Sequence, residues 1–220
     1  MFTTTNPLRL FAASLTQSTE ETRYYLRGVC IQRAGEGLLY ISTDGHRLTV
    51  AHDPEAVWDG ELPESGVILP VDKKAATALK SRKAASVDYD GSMLYVRHAN
   101  EAILNVSPAS LIDGTFPDWR RVMPQTYGEA MALNIGFDPA YLGTYAPIMK
   151  LHDNGPMIIH PNGNGPALLT FGGLDWLLGV LMPKRDNSVD PRDNGRIAPD
   201  WLPEYRPAQW QPAMMEEDAA

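Results

Sequence analysis

Five histidines, His46, His52, His98, His152 and His160, are the side chains best suited to binding a metal or moving a proton. His46 and His52 lie six apart on one expected strand, but no further ligand follows at a metal-binding spacing. No nucleophile elbow and no Walker sequence occurs. Gly163-Asn164-Gly165 and Gly172-Gly173 read as hairpin turns rather than phosphate loops. Asp153-Asn154-Gly155 reads as a turn that lacks the downstream ligands of a calcium loop. Cys30, between Val29 and Ile31, reads as a packed structural thiol, and a lone cysteine forms no intrachain disulfide. The expectation is a protein without catalysis, metal or cofactor. The chemistry that remains is contact chemistry. Ser42-Thr43-Asp44-Gly45-His46-Arg47-Leu48, Phe116-Pro117-Asp118-Trp119-Arg120-Arg121-Val122-Met123-Pro124 and Val180-Leu181-Met182-Pro183-Lys184-Arg185 each mix apolar side chains with cationic ones.

Elements must bring such distant segments together. The first 185 residues repeat one theme, a short helix followed by a run of strands. Asn6-Pro7 predicts a helix start with Asn6 as cap, and Leu8, Phe11, Ala12 and Leu15 share one face. Strands are expected at 27–33, 37–43 and 46–52, with turns at Gly35-Glu36-Gly37 and Asp44-Gly45. The second unit predicts a strand at Val67-Ile68-Leu69-Pro70, a helix over 72–83, and strands at 85–90, 92–98 and 101–107. The third predicts a strand at 130–136, a helix opened by Asp138-Pro139 and kinked by Pro147, and strands at 156–160, 166–171 and 176–182. Each unit, at about 50 residues, buries too little surface to stand alone and must share a sheet or core with its neighbours. The reading is α+β, in four parts: 1–112 as two units, 113–129 as a connector, 130–185 as one more unit, and 186–220 as a tail.

The formal net charge of −8 leaves no global basic footprint for nucleic acid. The charge is unevenly spread. From 186 to 220, eight acids oppose three arginines, a net of −5, so the first 185 residues carry −3. The tail holds Pro191, Pro199, Pro203, Pro207 and Pro212 and is expected to be extended. Its Trp201, Leu202, Tyr205 and Trp210 allow a docking role, either over the neighbouring cleft or on another subunit. The middle helix contrasts with this acidity. Lys73, Lys74, Lys80 and Lys83 lie on its outer side and flanks, opposite Val71, Ala75, Ala78 and Leu79. Lysines in that pattern suit loose, sequence-blind contact with phosphates, and Arg9 and Lys150 are candidates to extend the surface. No apolar run is long enough for a membrane helix and no secretory leader is evident, so a cytosolic location is expected.

Arg23-Tyr24-Tyr25-Leu26-Arg27-Gly28 together with Thr43-Asp44-Gly45-His46-Arg47-Leu48 resembles the middle domain of the bacterial replicative sliding clamp, the β subunit of DNA polymerase III. Asp113 to Pro124 is similar to the segment that closes that domain, and Val180 to Arg185 to the family's C-terminus. The resemblance covers most of 7–124 and, more weakly, 130–185. It implies the DNA-clamp fold, here one full clamp domain plus about half of another. It further implies a DNA sliding clamp, a polymerase processivity factor whose ring encircles duplex DNA, with helices lining the hole. It also implies a hydrophobic pocket for peptides of polymerases and repair proteins. By position that pocket would use Leu26, Thr43, Gly45, His46, Arg47, Leu48, Pro117, Arg121, Val122, Val180, Met182 and Pro183. Arg47 and Arg121 would hold the peptide's polar edge. Lys73, Lys74, Lys80, Lys83, Arg9 and Lys150 would face DNA.

The chain departs from the family in unit count. Three units stand where the family has six, and that points to a compact clamp from a phage or another mobile replicon. Four chains of three units would complete the family's twelve-unit ring as a homo-oligomer, with a trimer or dimer as alternatives and a clamp loader as a further partner. A second reading stays open: a module without a ring that competes for clamp-binding peptides as a decoy or regulator.

Overall fold

The computed structural model describes residues 1–124, 135–153, 155–163 and 165–184. Most of the strand expected at 130–136, the turns through Asn154 and Asn164, and the tail 186–220 lie outside the described residues. Strand β1 (Phe2–Thr4) leads into helix α1 (Pro7–Ser14). A 3-10 turn at Glu21–Leu26 precedes β2 (Val29–Arg33), β3 (Leu38–Thr43), β4 (Arg47–Asp53) and the short β5 (Val57–Trp58). Then come β6 (Val67–Leu69), α2 (Lys73–Leu79), β7 (Ala84–Tyr89), β8 (Met93–His98) and β9 (Ile103–Pro108). A second 3-10 turn, Trp119–Val122, lies in the connector. The third unit contributes α3 (Pro139–Gly143), α4 (Ala146–Leu151), β10 (Met157–His160), β11 (Ala167–Phe171) and β12 (Leu177–Leu181).

Two antiparallel sheets hold these strands, in the orders β5-β1-β7-β8-β9 and β10-β11-β12-β4-β3-β2-β6. The leading strand of each of the first two units crosses into the other's sheet. Phe2 pairs with Tyr89, joining β1 to β7, and Val29 pairs with Leu69, joining β2 to β6. Neither unit can separate without tearing a strand from its partner, which answers the small core of each alone. The third unit joins through its last strand: β12 pairs with β4 over Leu177↔Ala51 to Leu181↔Arg47. The seven-stranded sheet therefore runs unbroken from the first unit into the third.

Strand alternation distributes two cores. Val29, Ile31, Tyr40, Ala51, Leu169 and Leu181 point to the interior that also receives α1, α2 and the five-stranded sheet. Cys30, Ile41, Leu48, Val50, Leu168 and Val180 point to the opposite face and are covered by Phe116, with Ile112, Trp119 and Met123 packed against them. Burial on both faces explains why these strands read as nearly continuous apolar runs. Cys30 is fully buried, and burial pushes its thiol up to about 12, as a structural thiol requires.

The helices are shorter than their patterns predict. α2 ends at Leu79 rather than 83, so Lys83 sits in the turn leading to β7. Asp72 caps it, accepting from the Ala75 N–H at 2.6 Å. Asn6 does not cap α1 through its side chain. Its Nδ2 donates to Asp53 and Glu55, and the buried Asp53 carboxylate also accepts from Thr4 and Tyr40. The proline effect takes a definite form: the third helix is interrupted at Thr144-Tyr145, and Pro147 opens α4, where a missing N–H is harmless.

Candidate functional site: a cleft where three segments meet

The hairpin β3–β4 is built by its own side chains. Asp44 Oδ1 accepts from the backbone N–H groups of His46 and Arg47, both at 2.9 Å. Thr43 Oγ1 accepts from Gly45 and donates to the Arg47 carbonyl. Gly45 has φ +91°, a conformation that favours glycine because side-chain-bearing residues rarely adopt it. Arg47 donates Nε and Nη2 to Asp44 and Nη1 to Thr144, and its guanidinium lies 4.7 Å from the Tyr141 ring. These bonds hold the guanidinium of Arg47, the residue expected to hold a guest's polar edge, in the wall of the cleft.

Sheet register does the rest. Leu48 is the cross-strand neighbour of Thr43 on one side and of Val180 on the other. Immediately beyond the strand, Met182 N–H donates to the His46 carbonyl at 2.9 Å, placing Met182 beside the hairpin. The connector approaches from above. Phe116 is buried in the outer core, and Trp119 Nε1 donates to Gln32 Oε1 at 3.2 Å. Arg120 donates to the same oxygen and stacks over Trp119 at 4.5 Å. These anchors leave Pro117 and Val122 facing the sheet across a gap.

The gap is a cleft of about 170 Å³ lined by Leu26, Thr43, Gly45, His46, Arg47, Leu48, Pro117, Asp118, Trp119, Val122, Val180 and Met182. Ten of the twelve residues expected from the sequence line it. Arg121 and Pro183 do not; Arg121 is exposed on the 3-10 turn, and Pro183 lies past the end of β12. Asp118 and Trp119 were missed, although both stand within the quoted segment. Tyr141 was missed as a support: its ring stacks on His46 at 5.7 Å as well as on Arg47. The floor, Leu26, Leu48 and Val180, is buried, whereas Val122 and Met182 on the rim are about 40% exposed. An apolar floor with exposed apolar walls is suited to taking up another chain's side chains.

A buried polar seam holds the third unit to this hairpin. Thr16 bonds Ser42 and Thr49, Thr49 bonds the Tyr145 hydroxyl, and that hydroxyl donates to the Leu48 carbonyl at 3.1 Å. Burial raises the Tyr145 phenol to about 12, with the Thr49 hydrogen bond acting the other way. At the end of β12, Lys184 N–H donates to the Gly136 carbonyl, and its ammonium lies 3.3 Å from Asp138. Backbone bonding from Ala140, then Lys184, holds the Asp138 carboxyl below its ordinary range.

The cationic residues divide. Lys73, Lys74, Lys80, Lys83 and Lys150 are exposed. Arg9 is not: it is half-buried, donating to the His52 carbonyl at 2.5 Å with its guanidinium 5.3 Å from the Trp176 ring. Helix α1 turns that side chain onto β4, and it does not join a solvent-facing lysine surface. A wider hollow of about 730 Å³, lined by Gln17, Tyr24, Arg27, Asp72 and Lys73 among others, lies where α1 and α2 approach each other. Its lining is more polar than that of the cleft.

Comparison with known proteins agrees with the architecture. The family model for the DNA polymerase III beta subunit, central domain, matches residues 10–118. The Beta sliding clamp of Caulobacter vibrioides is 38% identical over 123 residues, covering 53% of this chain and 32% of that protein. The Escherichia coli K12 Beta sliding clamp is 34% identical over 119 residues, 52% of this chain and 30% of that one. The matched region thus spans about a third of those relatives. The solved Caulobacter crescentus pol III beta superposes with a TM-score of 0.60 at 22% identity, covering 84% of this chain and 65% of that one. The Bacillus subtilis sliding clamp gives 0.57 at 16% identity, covering 84% and 64%. Both share the fold. Residues 10–118 match the central-domain family of the DNA polymerase III β subunit, and the chain is a relative of the bacterial sliding clamps.

Proposed function

We propose that this protein is a non-enzymatic DNA sliding clamp and processivity factor. In this reading its cleft captures short apolar segments of a polymerase or repair protein, and its subunits encircle duplex DNA. The observation that carries the reading is the meeting of the hairpin, the connector and the end of β12 around one apolar cleft with exposed walls. The exposed Lys73, Lys74 and Lys80 on α2 support the DNA half of it. They are mobile point charges that attract phosphate without reading sequence. Retention by encirclement needs only weak, salt-sensitive attraction.

Residues 1–112 act as one clamp-like domain, 113–129 as the connector, of which Pro117 to Val122 roof the cleft, and 130–185 as half a domain. The half-domain meets its copy in a second chain, and four chains give a ring of twelve units. A clamp loader serves as a further partner, and the setting is the bacterial cytosol. Among the described residues no helix is long and apolar enough to cross a membrane. Two measurements test the reading. Light scattering is expected to return a multimer, and a monodisperse monomer at tens of micromolar would rule the ring out. The chain is expected to stay on closed circular duplex and leave when that duplex is linearised. Equal retention on both forms favours ordinary binding instead.

A further inference from the structure

Gln32 lies on β2 and faces the same side of the sheet as Cys30, two residues before it. It is buried and stands outside the lining of the cleft. Its amide joins two segments to the sheet. Nε2 donates at 3.0 Å to the carbonyl of Ser65, in the loop that precedes β6. Oε1 accepts from Trp119 Nε1 at 3.2 Å and from Arg120 Nη1 at 3.3 Å, both in the connector. The chemistry allows one orientation. The Ser65 carbonyl can only accept, and the indole and guanidinium N–H groups can only donate. A side chain here must present a donor to one segment and an acceptor to the other, and a primary amide presents both.

The connector's end of this junction is the roof of the cleft. Trp119 and Val122 both line it. They are three apart on a 3-10 turn, where side chains at that spacing stand in line, so fixing the indole also fixes the valine wall. Asp118, a further lining residue, accepts from the Arg120 N–H and ties the start of the turn to the same piece. We propose that Gln32 is a positioning residue for the cleft. From outside the lining it sets the height of the 3-10 turn over Leu48 and Val180, and with it the affinity for a guest. The affinity part rests on the peptide-capture reading above. Without the amide, the indole N–H and the Arg120 guanidinium lose their shared acceptor. A guest then meets a roof that it must first order, and that cost is taken from its binding.

The test compares two full-length variants with the parent. Gln32→Met keeps the length of the side chain and removes both polar ends; Gln32→Glu keeps the acceptor for Trp119 and Arg120. Amide hydrogen exchange over residues 116–123 needs no ligand. It is expected to be about tenfold faster in Gln32→Met, unchanged in the β3–β4 hairpin, and close to the parent in Gln32→Glu. Anisotropy with a labelled peptide carrying adjacent leucine and phenylalanine anchors is expected to give a Kd about tenfold higher for Gln32→Met and parent-like for Gln32→Glu. Exchange in Gln32→Met equal to the parent's overturns the proposal. So does faster exchange with an unchanged Kd, and so does a Gln32→Glu chain as weak as Gln32→Met, which is the result of a merely structural role. Arg120→Met reaches the same junction from an exposed side chain and serves if Gln32→Met fails to fold. It is expected to speed exchange over 116–123 about threefold, and parent-like exchange there overturns the proposal. A parent chain that binds no peptide refutes the peptide reading alone, and the exchange rates then decide whether Gln32 holds the roof.

Discussion

Trimming the two exposed walls of the cleft isolates its binding role from its folding role. Met182 leaves 39% of its surface exposed and Val122 40%. For Met182 that is roughly 80 Å², so covering it with a guest contributes about 2 kcal/mol at about 25 cal/mol per Å². Val122 offers roughly 65 Å², or about 1.6 kcal/mol on the same scale. Alanine retains part of each surface, so Met182→Ala should cost about 1.2 kcal/mol of binding and Val122→Ala about 0.8 kcal/mol. The double variant should weaken binding by about 2 kcal/mol, a roughly 30-fold rise in Kd. Both side chains are already half in water, so thermal stability should change by no more than about 0.5 kcal/mol. The assay is fluorescence anisotropy with a labelled peptide carrying adjacent leucine and phenylalanine anchors, alongside a melting curve for each variant. Arg121→Ala serves as a comparison, because that side chain lies outside the cleft lining. A double variant that melts normally and binds the peptide as tightly as the parent would refute the assignment of this cleft as the peptide site.

Replacing Lys73, Lys74 and Lys80 together with glutamate should abolish retention on circular DNA and leave peptide anisotropy unchanged; loss of both would point to misfolding rather than to a DNA-facing surface. Asp44→Ala strips the half-buried Arg47 of its carboxylate and removes the acceptor for two backbone N–H groups. It should cost about 2–3 kcal/mol, read as a lower denaturant midpoint, with peptide affinity falling as well. Alkaline pH should destabilise the fold. The Tyr145 phenol and the Cys30 thiol are each raised to about 12 in the folded protein. Their protonated forms therefore stabilise the fold fully below the ordinary tyrosine and thiol ranges, and that contribution disappears as pH climbs from about 9 toward 12. Chemical denaturation at pH 8 and pH 11 checks this, and an equal midpoint at both would contradict it.

Local physics was legible in the order of the residues. Asp44-Gly45 announced its turn because glycine readily takes a positive φ and a short Asp side chain reaches back-to-back N–H groups, here those of His46 and Arg47. Asp72 and Asp138 announced helix starts, and nearly continuous apolar runs marked β2, β3, β4, β11 and β12 within a residue or two. Helix ends were less legible. Lysines continue beyond Leu79 with helical spacing, but the chain must turn there to start β7, and that constraint is tertiary. The exchange of β1 and β6 between sheets has no local signal, because a strand of three residues carries almost no pattern. The cleft divides the same way. Its members came from three quoted segments, yet what sets them in a row is the pairing of β12 with β4, a contact between residues more than a hundred positions apart. Arg47 and Arg9 show the limit most plainly: sequence supplied two cations, and the fold decided that Asp44, Thr144 and Tyr141 would occupy one and His52 and Trp176 the other. Short-range hydrogen bonding and side-chain periodicity are written into neighbouring residues, whereas partner choice for a strand or a guanidinium depends on what the folded chain brings within reach.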